Sequence, residues 1–193
     1  GSAEFGSAFE GWVGGGCSGT SVCTVTMDIA KSVSSIFNGA GEISVIKVPV
    51  DQPTIQEAIT SAVNGDIVLV ASGRYQENLD FSGKALMVTS QDGPEVTIID
   101  ANLSGEVVRF ISGEGQSSVL SGFTLQKGQS GIRIRNSSPI IFGNMITNNK
   151  GSDGLGISSD FGSPIIQGNS ITKNTRGPGS GGIGGGGISI AGT

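Results

Sequence analysis

The chain has 193 residues, a formal net charge of −5 and no histidine. The acidic balance excludes a phosphate-neutralising nucleic-acid face, no apolar run approaches the ~20 residues of a membrane span, and Ser-His-Asp or His-metal chemistry is excluded within the chain. Apolar residues make up 36% and glycine contributes 34 residues, a mix too apolar for disorder and suited to many short strands between tight turns. In chain order, "GSAEFGSA" (1–8) reads as cloning-derived or linker sequence, so the lack of a leader says nothing about the natural protein.

Residues 9–38 read as a β fragment. Val22, Thr24 and Thr26 alternate with Cys23, Val25 and Met27, and a second run follows at Ser32–Phe37. Two small strands joined at "DIAK" are expected. Some thirty residues cannot bury a core alone. Cys17 and Cys23 lie close together in "GGCSGTSVCTVTM". With no histidine to complete a zinc site and a secreted context, a disulfide is expected, two reduced thiols being the alternative.

From residue 43 the pattern changes. "ISVIKV" predicts a strand, and the following segment predicts a short helix at about 54–63. Thr54 is the expected N-cap, with Glu57 at the capping-box spacing. Ile55, Ala58, Ile59 and Ala62 form one apolar stripe, and Asn64-Gly65 is expected to stop the helix.

Beyond Asp66 there is no second helical pattern, only short Val/Ile runs separated by Gly, Asn, Asp and Ser. "SSPIIFGNMITNN" (137–149) returns as "GSPIIQGNSITKN" (162–174), so Pro139/Pro164, Gly143/Gly168, Asn144/Asn169 and Ile146/Ile171 are each 25 apart by subtraction. Several mini-strands per interval fit one coil of a parallel β-helix. Each coil then templates the next at ~4.8 Å. Ile140 is expected to pack on Ile165 and Ile146 on Ile171 inside the coil. Asn144 and Asn169 are expected to form an amide ladder. The predicted fold is all-β: a right-handed parallel β-helix solenoid over 43–193, with an N-terminal capping α-helix and a small N-terminal β appendage. The handedness follows the general rule for parallel crossovers. The helix stripe would cover the first coil's open end.

"PTIQEAITSAVNGDIVLVASGRYQENLDFSGKALMVTSQDGPEVTIIDANLSG", with its "SPII.GN.IT.N" coils, resembles bacterial right-handed parallel β-helix proteins of the pectin-lyase-like superfamily. "FEGWVGGGCSGTSVCTVTMDIAKSVSSIF" resembles the C-terminal half of a divergent internalin-type B-repeat. The first resemblance implies a secreted or surface protein. The second implies an extracellular setting too, in a family that often carries this cysteine pair.

The superfamily includes lyases, hydrolases and methylesterases, so the outward charges need testing one by one. Aligning the coils places Ile132 with Val108 and Ile157, Arg109 near Arg133 and Arg135 near Asp160. No strand presents two acids on one face, as a calcium site requires. Asp80 and Asp100 are 20 apart by subtraction and are the weak candidates for a carboxylate dyad. Arg74 and Tyr75 read as a structural corner. "GPGSGGIGGGG" has no following lysine or helix start, which a phosphate cradle needs, and reads as a long flexible turn. No catalytic, metal or cofactor residue is expected. The leading expectation is a non-catalytic extracellular or cell-surface scaffold, structural or adhesin-like. The alternative is a carbohydrate-binding or carbohydrate-active β-helix whose working coils lie outside this sequence. "GGISIAGT" aligns with "SGIRIRNS", so the chain is expected to stop just before another coil. Self-association through that coil, as a dimer or filament, is expected. A polysaccharide or host-surface ligand is a further possible partner.

Overall fold

The computed structural model describes residues 8–14, 17–25, 34–38, 43–151, 155–177 and 186–191. The chain divides into two compact units, with the boundary after Ile43.

The first unit is a three-stranded antiparallel sheet. Ala8–Gly14 is central, with Cys17–Gly19 on one side and Ser34–Asn38 on the other. Trp12 pairs with Gly19 in one ladder and with Ser35 in the other. The run expected at Ser32–Phe37 is present as the strand Ser34–Asn38, whereas the run expected at 22–27 is no strand over its described residues. Residues 22–25 are not in a strand, and Val22 is 94% exposed. β-propensity fixes a strand only where a neighbour completes its ladder and covers one face. The "DIAK" turn lies outside the described residues, as does the Cys17 side chain, and with it the expected pairing to Cys23.

The second unit is a parallel β-solenoid of about five turns. Three sheets run along it. One stacks Val45–Val48, Ile67–Val70, Met87–Ser90, Val119–Ser121, Ile140–Phe142 and Ile165–Gln167. A second stacks Gly73–Tyr75, Thr97–Asp100, Thr124–Gln126, Met145–Thr147 and Ser170–Thr172. A third stacks Leu79–Asp80, Val108–Phe110, Ile132–Arg135, Ile157–Asp160 and Ile188–Ala191. Lys150–Gly151 and Thr175–Arg176 add a short two-stranded ladder. The registers carry the sequence repeat directly: Ile140 pairs with Ile165, Ile146 with Ile171, and Ile132 with both Val108 and Ile157.

Burial shows which side chains fill the coil. The inward rows are Val68–Val88–Leu120–Ile141–Ile166 in the first sheet, Ile99–Leu125–Ile146–Ile171 in the second and Leu79–Val108–Ile132–Ile157 in the third. Phe81 packs on Phe110 with ring centroids 4.3 Å apart. The expected Ile140–Ile165 stack is real as a neighbour pair but lies on the outside, with Ile165 37% exposed. Successive strand residues alternate faces, and in "PII" the second isoleucine continues the inward row.

The helix is Ile55–Ser61. Thr54 accepts from the Glu57 N–H, so half of the capping box forms. Glu77 from the next coil serves two other first-turn donors: its carboxylate accepts from the Ile55 and Gln56 N–H groups at 3.0 and 2.9 Å. The other end stops earlier than Asn64-Gly65, at an extended Ala62. There Lys84 Nζ donates to the Ile59, Thr60 and Ala62 carbonyls at 2.8, 2.6 and 2.9 Å. A carboxylate at the N-terminus and an ammonium at the C-terminus both match the helix dipole. Ile55, Ala58, Ile59 and Ala62 are buried in the solenoid's core cluster. Gln56 exchanges two hydrogen bonds with the Asp80 backbone, at 2.8 and 3.1 Å, along the outer edge of the third sheet's first strand.

Candidate functional site

The outer face of the third sheet gathers the charges that the sequence scatters. Parallel register places Asp80, Arg109, Arg133 and Ser158 in one outward row. Two arginines on neighbouring strands repel unless each is neutralised. Arg109 pairs with Asp80 at 3.2 Å, and Arg133 pairs with Asp160 at 2.5 Å while donating to Ser158 at 2.8 Å. Arg135 lies opposite Asp160 in register, yet Asp160 faces Arg133. Among the described residues, Arg135 therefore has no acidic partner, and neither does the Glu106 carboxylate a basic one.

Glu106, Arg109, Ile111, Arg133, Arg135 and Asn136 line an open depression of about 370 Å³ on this face. A smaller one of about 170 Å³ adjoins it, sharing Glu106 and Arg109 and adding Asn78, Ser104 and Gly105. Glu106 and Asn136 were not legible as site residues because they sit beside strands, where no periodicity marks them.

Asp80 and Asp100 do not form a dyad. Asp80 is on the third sheet and Asp100 on the second, because equal spacing along the chain does not make equal phase when coils differ in length. Met87 to Val119 is 32 residues by subtraction, against 21 from Val119 to Ile140. Asp100 instead anchors its own cluster. Its side chain is 1% exposed and contacts Arg74, Lys127 at 3.3 Å, Gln126 Nε2 at 3.1 Å and the Asn102 N–H at 2.8 Å. Burial alone would push its carboxyl up; the Asn102 N–H, Lys127 and Arg74 outweigh that and hold it below the ordinary aspartate range. Tyr75 donates to the Ala71 carbonyl at 3.0 Å, and burial, then Glu77, pushes its phenol up. Arg74 and Tyr75 thus lie in the strand Gly73–Tyr75 and not at the expected corner.

Two asparagine ladders run along the corners. Asn144 donates to Asn169 Oδ1 from its backbone N–H at 3.0 Å and from Nδ2 at 3.1 Å, and accepts from the Phe123 N–H. The second ladder was missed. Asn149 makes the same two donations to Asn174, at 3.0 and 2.9 Å, and accepts from the Gly128 N–H at 2.8 Å. Its signal was present, since Asn149 and Asn174 are also 25 apart by subtraction. Each ladder asparagine follows a residue with positive φ: Gly143, Gly168, Asn148 and Lys173. That turn swings the next side chain into the coil.

No group of three or more His, Cys, Asp or Glu able to hold a metal occurs among the described residues. No described helix is long and apolar enough to cross a membrane. Comparison with known proteins gave no match, whether to a family model, a curated protein or a solved structure.

Proposed function

We propose that this solenoid is a non-catalytic extracellular or cell-surface scaffold, a stiff rod that extends and displays. The observation that carries the reading is how its strand carboxylates are used. Asp80, Asp100 and Asp160 each face a cation of the same chain. A lyase or glycosidase needs carboxylates free to meet substrate or water. The two asparagine ladders, whose amides tie coil to coil, give the rod lateral rigidity.

The finer features belong to the same reading. The coils wind right-handed, as parallel crossovers overwhelmingly do. The helix closes one end of the stack, with Gln56 standing in for a neighbouring strand at Asp80 and the apolar stripe covering the core. The likeness to pectin-lyase-like β-helices and to an internalin-type B-repeat supports a bacterial surface setting. Such a setting favours a Cys17–Cys23 disulfide. Intact mass with and without reductant is expected to differ by two hydrogens, and two alkylatable thiols without reductant would reject the bond. The scaffold reading is tested by incubating the protein with a panel of acidic and neutral polysaccharides and assaying reducing ends and unsaturated products. No turnover is expected. Turnover that disappears in D80N or D160N would replace this reading with an enzymatic one.

A further inference from the structure

The depression on the third sheet's outer face has a composition that the rod does not need. Its lining carries three cations, Arg109, Arg133 and Arg135, and one anion, Glu106. Asp80 and Asp160 neutralise the first two arginines. What remains is one guanidinium and one carboxylate, both without a charged partner among the described residues. Ile111, 40% exposed, lies between them in the chain and in the same lining. Asn136, next to Arg135, adds an amide. An exposed isoleucine on a polar sheet face costs solvation unless something apolar covers it.

We propose that this depression binds the carboxylate of a peptide. Arg135, with Asn136 beside it, takes the carboxylate, because guanidinium matches a planar two-oxygen anion by paired N–H donors. Glu106 accepts from a peptide N–H. Ile111 covers the neighbouring aliphatic side chain. One carboxylate, one N–H and one apolar side chain are what a chain end, or an acidic residue within a chain, presents together. A plain inorganic anion would leave Glu106 and Ile111 unused, and Glu106 would repel it. A neutral sugar would leave Arg135 unneutralised. The depression is open and shallow, so the affinity is that of a transient contact, on the order of millimolar for a short peptide.

The test is ligand-observed NMR titration of the intact protein with four probes. These are N-acetyl-Ala-Leu with a free carboxylate, the same peptide as its C-terminal amide, N-acetyl-Asp-Leu-amide, and a uronic-acid oligosaccharide. The free-acid dipeptide is expected to bind saturably, and the amide about tenfold more weakly or not at all. If the aspartyl amide binds as well, acidic side chains are recognised along with chain ends. If only the free acid binds, recognition is of chain ends. R135A is expected to lose about tenfold while keeping its melting temperature, since Arg135 is exposed and has no charged partner to orphan. R135K is expected to recover part of that loss. E106Q is expected to weaken the free-acid dipeptide while keeping the melting temperature. Equal binding of acid and amide, an R135A titration matching the wild type, or binding of the oligosaccharide but not the dipeptide would each overturn the proposal.

Discussion

Asp100 shows how one side chain can hold several coils. It is buried on the second sheet, yet it is charged, and it is tolerated because Arg74, Lys127, Gln126 and the Asn102 N–H all converge on it. Those residues come from three successive coils. D100N is expected to cost about 2 kcal/mol: the buried acceptor remains but loses its charge, while Arg74 and Lys127 are nearly half exposed and recover water. The pH dependence has a definite sign. The folded carboxyl titrates below its unfolded value of about 3.9, so the unfolded chain binds more protons across that interval. The stabilisation is therefore complete above about pH 4 and is lost as pH falls through the folded value. The gap between wild-type and D100N urea midpoints should be narrower at pH 3 than at pH 6; a constant gap would show that the charge is not what matters.

The corners and the helix are the elements that decide stability. N149A is expected to cost about 3 kcal/mol, since it leaves the buried Gly128 N–H and Leu125 carbonyl without their partner. N169A removes the same side chain from a more exposed coil, where water replaces it, and is expected to cost about 1 kcal/mol. Equal losses would mean that the ladders contribute nothing beyond local turns. I59D places a charge in the core under the helix and is expected to cost at least about 3 kcal/mol, read as a fall in the thermal midpoint. The solenoid was legible because a 25-residue repeat fixes register, and register fixes neighbours: Ile132 with Ile157 and Asn144 with Asn169 follow from subtraction alone. What was not legible depends on phase within a coil. Whether Ile140 or Ile141 points inward is settled by the Leu120 and Val88 row beneath, not by the strand's own three residues. Glu77 and Lys84 cap the helix from a different coil, at a spacing no local motif encodes. The central strand of the first unit was missed for a similar reason, because its glycine-broken pattern is completed only by the strands on either side.

At the scale of the whole molecule the solenoid is quasi-one-dimensional, each coil covering the one before it. Inward burial follows that rule along the third sheet. Leu79, Val108, Ile132 and Ile157 are fully buried, but Ile188, next in register, is 47% exposed. In the neighbouring row, Phe110 and Ile134 are buried, Ser159 follows, and Ile190 is 67% exposed. Two inward isoleucines on a strand that is paired along one edge among the described residues form a surface that a further strand would cover, whether from another coil or a second copy. A second copy that supplies such a strand is the partner to test. Its strand would meet the same strand of its neighbour about a two-fold axis. Light scattering over a concentration series should therefore show the mass rising from one copy toward two. I188S/I190S should hold it at one, with little change in the melting temperature, since both side chains already face water. A wild-type mass that stays at one copy throughout, with Ile188 and Ile190 as reactive to a solvent-carried radical footprint at high concentration as at low, would show that this strand tolerates exposure and that the rod does not assemble through it.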